Sequence, residues 1–155
     1  MKYYSIQITR IILKEGEKVF GSNPEQIAEY AMENCYSPQD SWREQSFLVF
    51  VNNDRQIEGH YLLGVGGFDS VTMDKRLACT AMLGAQASSA VLVHNHPTGG
   101  PAPSRADVQM TGEIKNAFSA IGCKLLDHVI IGEDSIFSFT EEKTISIKKN
   151  KNRKS

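Results

Sequence analysis

The run Phe47-Leu48-Val49-Phe50-Val51 is apolar at every position, and it constrains the fold more than any other stretch of the chain. Successive side chains of a strand point to opposite faces, so a strand apolar throughout must be covered on both. That makes it a central strand between two layers. A second short run, Ala90-Val91-Leu92-Val93, repeats the demand. Residues 2–13, rich in β-branched and aromatic side chains, read as a further strand followed by a charged turn around 14–18. Ser22 or Asn23 can cap a helix that has Pro24 in its first turn and carries Ile27, Ala28, Ala31 and Met32 at helical spacing to about Cys35. A loop at 37–40, the central strand, and a turn at Asn52-Asn53-Asp54 lead into a strand over 56–63, which Gly64, Gly66 and Gly67 should break. A helix over 74–87, the strand 90–93, a loop over 95–103, a helix from Ser104 to about Ile121, and strands at 124–131 and 136–139 complete the chain. Strands alternate with helices without a repeat. The expected fold class is α/β, one mixed β-sheet flanked by helices in an α/β/α arrangement.

The 155 residues, 41% hydrophobic and 23% charged, suit one domain. A chain of that length buries roughly 70% of its unfolded surface, so it needs neither disulfides nor a structural metal to hold together. No apolar run approaches the ~18 residues needed to cross a bilayer. The start, Met1-Lys2-Tyr3-Tyr4-Ser5, lacks the apolar core of a signal peptide, so a soluble cytoplasmic protein with no membrane contact is expected. Cys35, Cys79 and Cys123 are scattered, without a Cys-x-x-Cys pair, and read as reduced, partly buried thiols. The net charge of -1 conceals an asymmetry: Lys148, Lys149, Lys151, Arg153 and Lys154 leave 12 basic against 18 acidic groups over 1–147. A body near -6 repels phosphate, so any nucleic-acid contact falls to a local patch or to this tail.

Chemistry concentrates in His94-Asn95-His96-Pro97 and the loop that follows. Two histidines at i and i+2 of an extended chain lie on the same side, so both imidazoles can meet one ion while Asn95 points away. Pro97 disfavours helical angles at His96 and holds it extended. Pro97, Pro101 and Pro103 stiffen the loop, and Ser104 can cap the next helix with Asp107 at its third position. Ser104 and Asp107 also read as a plain capping box, and His94 and His96 alone as polar residues at a strand end. Taken together they offer two nitrogens and one oxygen, the three-ligand set of a catalytic zinc that keeps a fourth position for water.

The pattern His-x-His-Pro, six residues, then Ser-x-x-Asp resembles the metal-binding signature of the JAMM/MPN metalloproteases. The fuller wording, with Pro103-Ser104-Arg105-Ala106-Asp107 and later Leu125-Leu126-Asp127-His128-Val129-Ile130-Ile131-Gly132, resembles the RadC branch of that superfamily. The resemblance spans about residues 22–142. It sets off a leading strand and turn over 1–21 and a basic tail over 143–155, and it implies a cytidine-deaminase-like α/β/α fold. It also implies a zinc ion held by His94, His96 and Asp107, with Ser104 beside the reacting carbonyl. A carboxylate outside the motif must take a proton from water, and Glu44, Asp54, Glu58, Asp69 and Asp74 are available upstream. Glu58 reads as part of a solvated strand face. Glu44 stands at the entrance to the apolar strand and reads either as a surface partner of Arg43 or as the catalytic acid that the family carries just before this strand; the resemblance assigns it the second role.

The expected activity is therefore a zinc-dependent metallohydrolase acting on a peptide or isopeptide bond of a peptide or protein substrate. Zinc lowers the pKa of bound water from 15.7 to about 7. Glu44 would take that proton and return it to the leaving amine, while Ser104 donates to the oxyanion. The other classes left open are a DNA-repair-associated accessory protein touching nucleic acid through its basic tail, and a non-catalytic MPN scaffold. A zinc nucleobase deaminase would need H-x-E with P-C-x-x-C, and neither occurs. His128 reads as a core residue or a support to the ligands, His60 as exposed, Cys79 as packed, and Trp42 as packed or as a binding anchor.

Overall fold

The structure, a computed structural model, describes residues 9–10, 18–66, 72–97 and 99–147, the first two through their backbone alone. Most of the strand expected over 2–13, the candidate carboxylate Asp69 and the basic run 148–154 lie outside the described residues.

Strands β1 (Thr9–Arg10), β2 (Gln45–Val51), β3 (Ile57–Val65), β4 (Ser89–Asn95), β5 (Lys124–Ile131), β6 (Ser135–Ser138) and β7 (Lys143–Ser146) alternate with helices α1 (Pro24–Asn34), α2 (Lys75–Ala85) and α3 (Arg105–Ala120). Among the described residues the strands form one sheet in the order β1-β3-β2-β4-β5-β6-β7. Every neighbouring pair is antiparallel except β4 and β5. A parallel pair needs a crossover between its strands, and α3 supplies it. The all-apolar β2 lies between β3 and β4 and is buried at all seven positions, as its composition requires.

Alternation along β2 and β4 divides the core in two. Leu48, Phe50, Ala90 and Leu92 pack with Met82 of α2 and with Ile114 and Phe118 of α3. Val49, Val51, Val91 and Val93 pack with Ile27, Ala28 and Ala31 of α1. The mixed sheet between helical layers is the α/β/α arrangement expected. Full burial of a leucine or valine side chain is worth about 1.5–3 kcal/mol, so these two faces carry the fold.

Several local expectations are settled or corrected. Asn23, not Ser22, caps α1, its side chain accepting from Gln26 N at 2.9 Å. Gly64 does not break β3, because Ser46 and Gln45 pair with Gly64 and Val65 and carry the ladder past the glycine. Residues 38–40, expected as loop, form a 3-10 turn opened by Pro38. Residues 143–146, expected in the tail, form β7. Its mainly exposed Lys-Thr-Ile-Ser sequence shows little apolar alternation, and pairing with β6 fixes it as a strand. The three cysteines are free, Cys123 buried and the other two partly so. Trp42 is 48% exposed, with the Arg43 guanidinium 4.6 Å from its ring centre, so it is not a core residue. Among the described residues no helix is long and apolar enough to cross a membrane.

His60 is not exposed. It is buried on the α1 face of the sheet, where its Nδ1 meets the Tyr30 hydroxyl at 2.8 Å and Phe47 packs edge-on against the ring. Alternation in β3 is interrupted here: Gly59 and His60 are both buried, in a stretch whose register with β2 is irregular.

Candidate metal centre

The alternation that sends Ala90 and Leu92 into the α2–α3 core places His94 on the same face at the end of β4, fully buried. His96 lies just past the strand, and its N–H donates to Ile131 O at 2.8 Å, which extends the parallel pairing by one step. The loop then turns back under firm constraints. Pro101 is buried against Gly132, where a Cβ would come within 2.9 Å of the Pro101 nitrogen, so only glycine admits this approach. Ser104 caps α3, with Asp107 N donating to Ser104 Oγ at 3.1 Å and Ser104 N donating to Asp107 Oδ2 at 2.7 Å. The capping box forms, and it aims the Asp107 carboxylate toward the histidines.

His94 Nε2 and His96 Nε2 lie 3.0 Å apart. Asp107 Oδ1 is 3.3 Å from the first and Asp107 Oδ2 is 3.5 Å from the second. One ligand atom from each of the three residues falls within 4.8 Å of the others, a group that could hold a metal ion. The second ring nitrogens are engaged elsewhere: His96 Nδ1 donates to Gly100 O at 3.1 Å, and His94 Nδ1 meets His128 Nε2 at 2.7 Å. A carbonyl oxygen only accepts, so a neutral His96 turns its Nε2 lone pair to the point shared with His94 Nε2 and the Asp107 carboxylate.

The protonation balance reflects that convergence. The bond to Asp107 raises the His96 pKa above its usual 6.5 despite partial burial. Burial pushes His94 down to about 4, with the Asp107 charge opposing. Burial works to raise Asp107, but the bonds from His96 and Ser104 outweigh it and hold the carboxyl well below the usual carboxylate range. His128, fully enclosed, is lowered well below 6.5 by burial.

Glu44 is buried, whereas Asp54 and Glu58 are exposed and Asp74 caps α2 while pairing with Arg76. The β2–β4 register sets Ser46 opposite His94; Glu44 stands two residues before Ser46, and His96 two residues after His94. The Glu44 charge accordingly acts on His96. Arg43, the residue before Glu44, bonds to Asp40 at 3.0 Å. Asn95 points away from the cluster, as expected, but it is not idle. Its Oδ1 accepts from Gln45 N at 2.8 Å and its Nδ2 donates to Arg43 O at 3.0 Å, pinning the peptide groups on both sides of Glu44. Ser46 Oγ, beside His94, is buried without a hydrogen-bond partner. Neither Asn95 as a clamp nor Thr111 at the His128 ring emerges from the sequence reading. Thr111 carries a faint signal, standing four residues after Asp107 on one helix face. Asn95 carries none without the register.

Residues 21–144 match the family described as the RadC-like JAB domain. The chain belongs to that family. Its relatives include UPF0758 proteins of Carboxydothermus hydrogenoformans, 30% identical over 121 residues, which are 78% of this chain and 52% of the relative, and of Caldanaerobacter subterraneus, 33% identical over 129 residues, 83% and 54%. A UPF0758 protein of Chlorobaculum parvum is 38% identical over 102 residues, 66% of this chain and 46% of the relative. The chain thus spans about half the length of the curated relatives it matches. The JAB domain covers all the residues of the cluster described above: Glu44, His94, His96, Ser104, Asp107, Thr111 and His128.

Proposed function

We propose that this RadC-like JAB domain is a zinc-dependent hydrolase that cleaves a peptide or isopeptide bond. The carrying observation is the convergence of His94 Nε2, His96 Nε2 and the Asp107 carboxylate beside a buried Glu44. The residues fit the ion on their chemistry: two imidazoles and one carboxylate without thiolate are a catalytic rather than a closed structural set, and the orphaned Ser46 hydroxyl marks polar space next to them. His94, His96 and Asp107 would hold the zinc. When bound, the ion supplies Lewis acidity that lets a water molecule give up its proton near neutral pH.

The chain's own groups do the rest. Glu44 accepts the water proton at a carboxylate oxygen, the water oxygen bonds to the substrate carbonyl carbon, and the C–N bond breaks as Glu44 returns the proton to the amine. Asn95 and the Gly66 N–H, which donates to Glu44 O at 2.8 Å, hold that residue's backbone in place. Ser104 Oγ accepts from Asp107 N and still has its own proton to donate to an oxyanion, so capping and catalysis are compatible. Exposed Trp42 and Val65 flank the Glu44 end of β2 and offer apolar contact for a peptide.

Metal analysis of the purified protein tests the reading. About one zinc per chain is expected, falling to background in His94→Ala; a zinc-free wild type after growth and refolding with zinc would overturn it.

A further inference from the structure

Behind His94 lies a line of hydrogen bonds whose direction is fixed from its far end. Thr111 Oγ1 is 2.6 Å from Asp107 O and 2.6 Å from His128 Nδ1, and His128 Nε2 is 2.7 Å from His94 Nδ1. A carbonyl oxygen only accepts, so the single Thr111 proton goes to Asp107 O. Thr111 must then accept from His128 Nδ1–H. The His128 ring is fully buried, stacked on Phe139 at 4.6 Å and 7°, with neutral partners at both nitrogens, and there it carries one proton. Its Nε2 is therefore an acceptor, and His94 Nδ1–H is the donor. We propose that His128 and Thr111 are positioning residues that fix His94 with its proton on Nδ1 and its lone pair on Nε2, facing His96 and Asp107. The line closes on the helix backbone that carries Asp107, so one set of bonds orients two of the three candidate ligands. The neighbouring Asp127 takes no part in this line; its carboxylate accepts from His128 N, Ser138 Oγ and Thr140 N and ties β5 to the chain around β6.

This inference rests on the metal-centre reading but can be tested apart from it. Without the Thr111 hydroxyl, His128 loses the acceptor at Nδ1 and can move its proton to Nε2. That proton would then point at His94 Nδ1 and drive the His94 proton onto Nε2, where it blocks the cluster. Zinc affinity is measured by competition with a chromophoric chelator for wild type, Thr111→Val and Thr111→Ser. The valine variant should bind about 10- to 100-fold more weakly, as losses of groups supporting a ligand generally do, and serine should restore affinity. Thr111→Ala serves if valine disturbs the fold. In the zinc-free protein, long-range nitrogen–proton NMR should find His94 protonated at Nδ1 in wild type and shifted toward Nε2 in Thr111→Val. Unchanged affinity together with an unchanged His94 tautomer in the valine variant would overturn the proposal. A wild type that takes up no zinc would remove the metal reading alone, and the tautomer measurement would still decide this one.

Discussion

Histidines lie buried or half-buried on opposite faces of the same sheet, in two groups that differ in what surrounds them. On the α1 face His60 meets the Tyr30 hydroxyl and packs against Phe47. On the α3 face His94 and His96 turn their Nε2 atoms toward each other and toward Asp107, with the remaining nitrogens tied to His128 and Gly100 O. Burial alone thus does not make a histidine a candidate ligand. What distinguishes the second group is a shared focus for several lone pairs and a fixed direction for each ring. The first group is a satisfied polar pair in the core, where a hydrogen bond nets about 1 kcal/mol.

The contrast can be broken most sharply at Glu44. In Glu44→Gln the zinc content should stay at the wild-type level while hydrolysis of a peptide or isopeptide substrate falls by about 100- to 10,000-fold, the range for losing a general base. Full turnover in that variant would remove Glu44 from the chemistry. Next in size is the linkage of metal to stability. Zinc at 100 times its Kd should stabilise wild type by about 2.7 kcal/mol. A thermal melt should therefore rise by roughly 5–10 °C. His60→Gln should keep that rise and His94→Ala should lose it, whereas equal responses would erase the distinction between the two faces.

Tyr30→Phe should lower stability by about 1–3 kcal/mol in denaturant titrations, because it leaves a buried ring nitrogen unpaired, without changing zinc content. A smaller effect follows from pH. Burial lowers the His60 pKa below 6.5, so on acidification the unfolded chain takes up a proton that the folded protein resists. Stability gained from the neutral ring is therefore complete above 6.5 and declines as pH falls below it. Denaturant midpoints from pH 7 to pH 5 should drop less in His60→Gln than in wild type; parallel curves would show that His60 does not contribute.

Much of this was legible along the chain. The uninterrupted apolar runs of β2 and β4 dictate a covered sheet, because period-2 geometry leaves such a strand no exposed face. The spacing of His94, His96, Ser104 and Asp107 fixes which groups can converge, because a proline-braced extended segment and a helix cap each aim a side chain locally. Tertiary structure alone decided the remainder. His60 sits under α1 because the irregular β2–β3 pairing turns two successive residues inward. β7 is a strand because β6 offers its edge. Asn95 grips the backbone around Glu44, and Thr111 reaches His128, because strands and a helix distant in sequence arrive in one register. Side-chain aim within an element follows from local geometry. The partner a polar group finds across elements depends on how the layers settle against one another, which no short stretch of residues encodes.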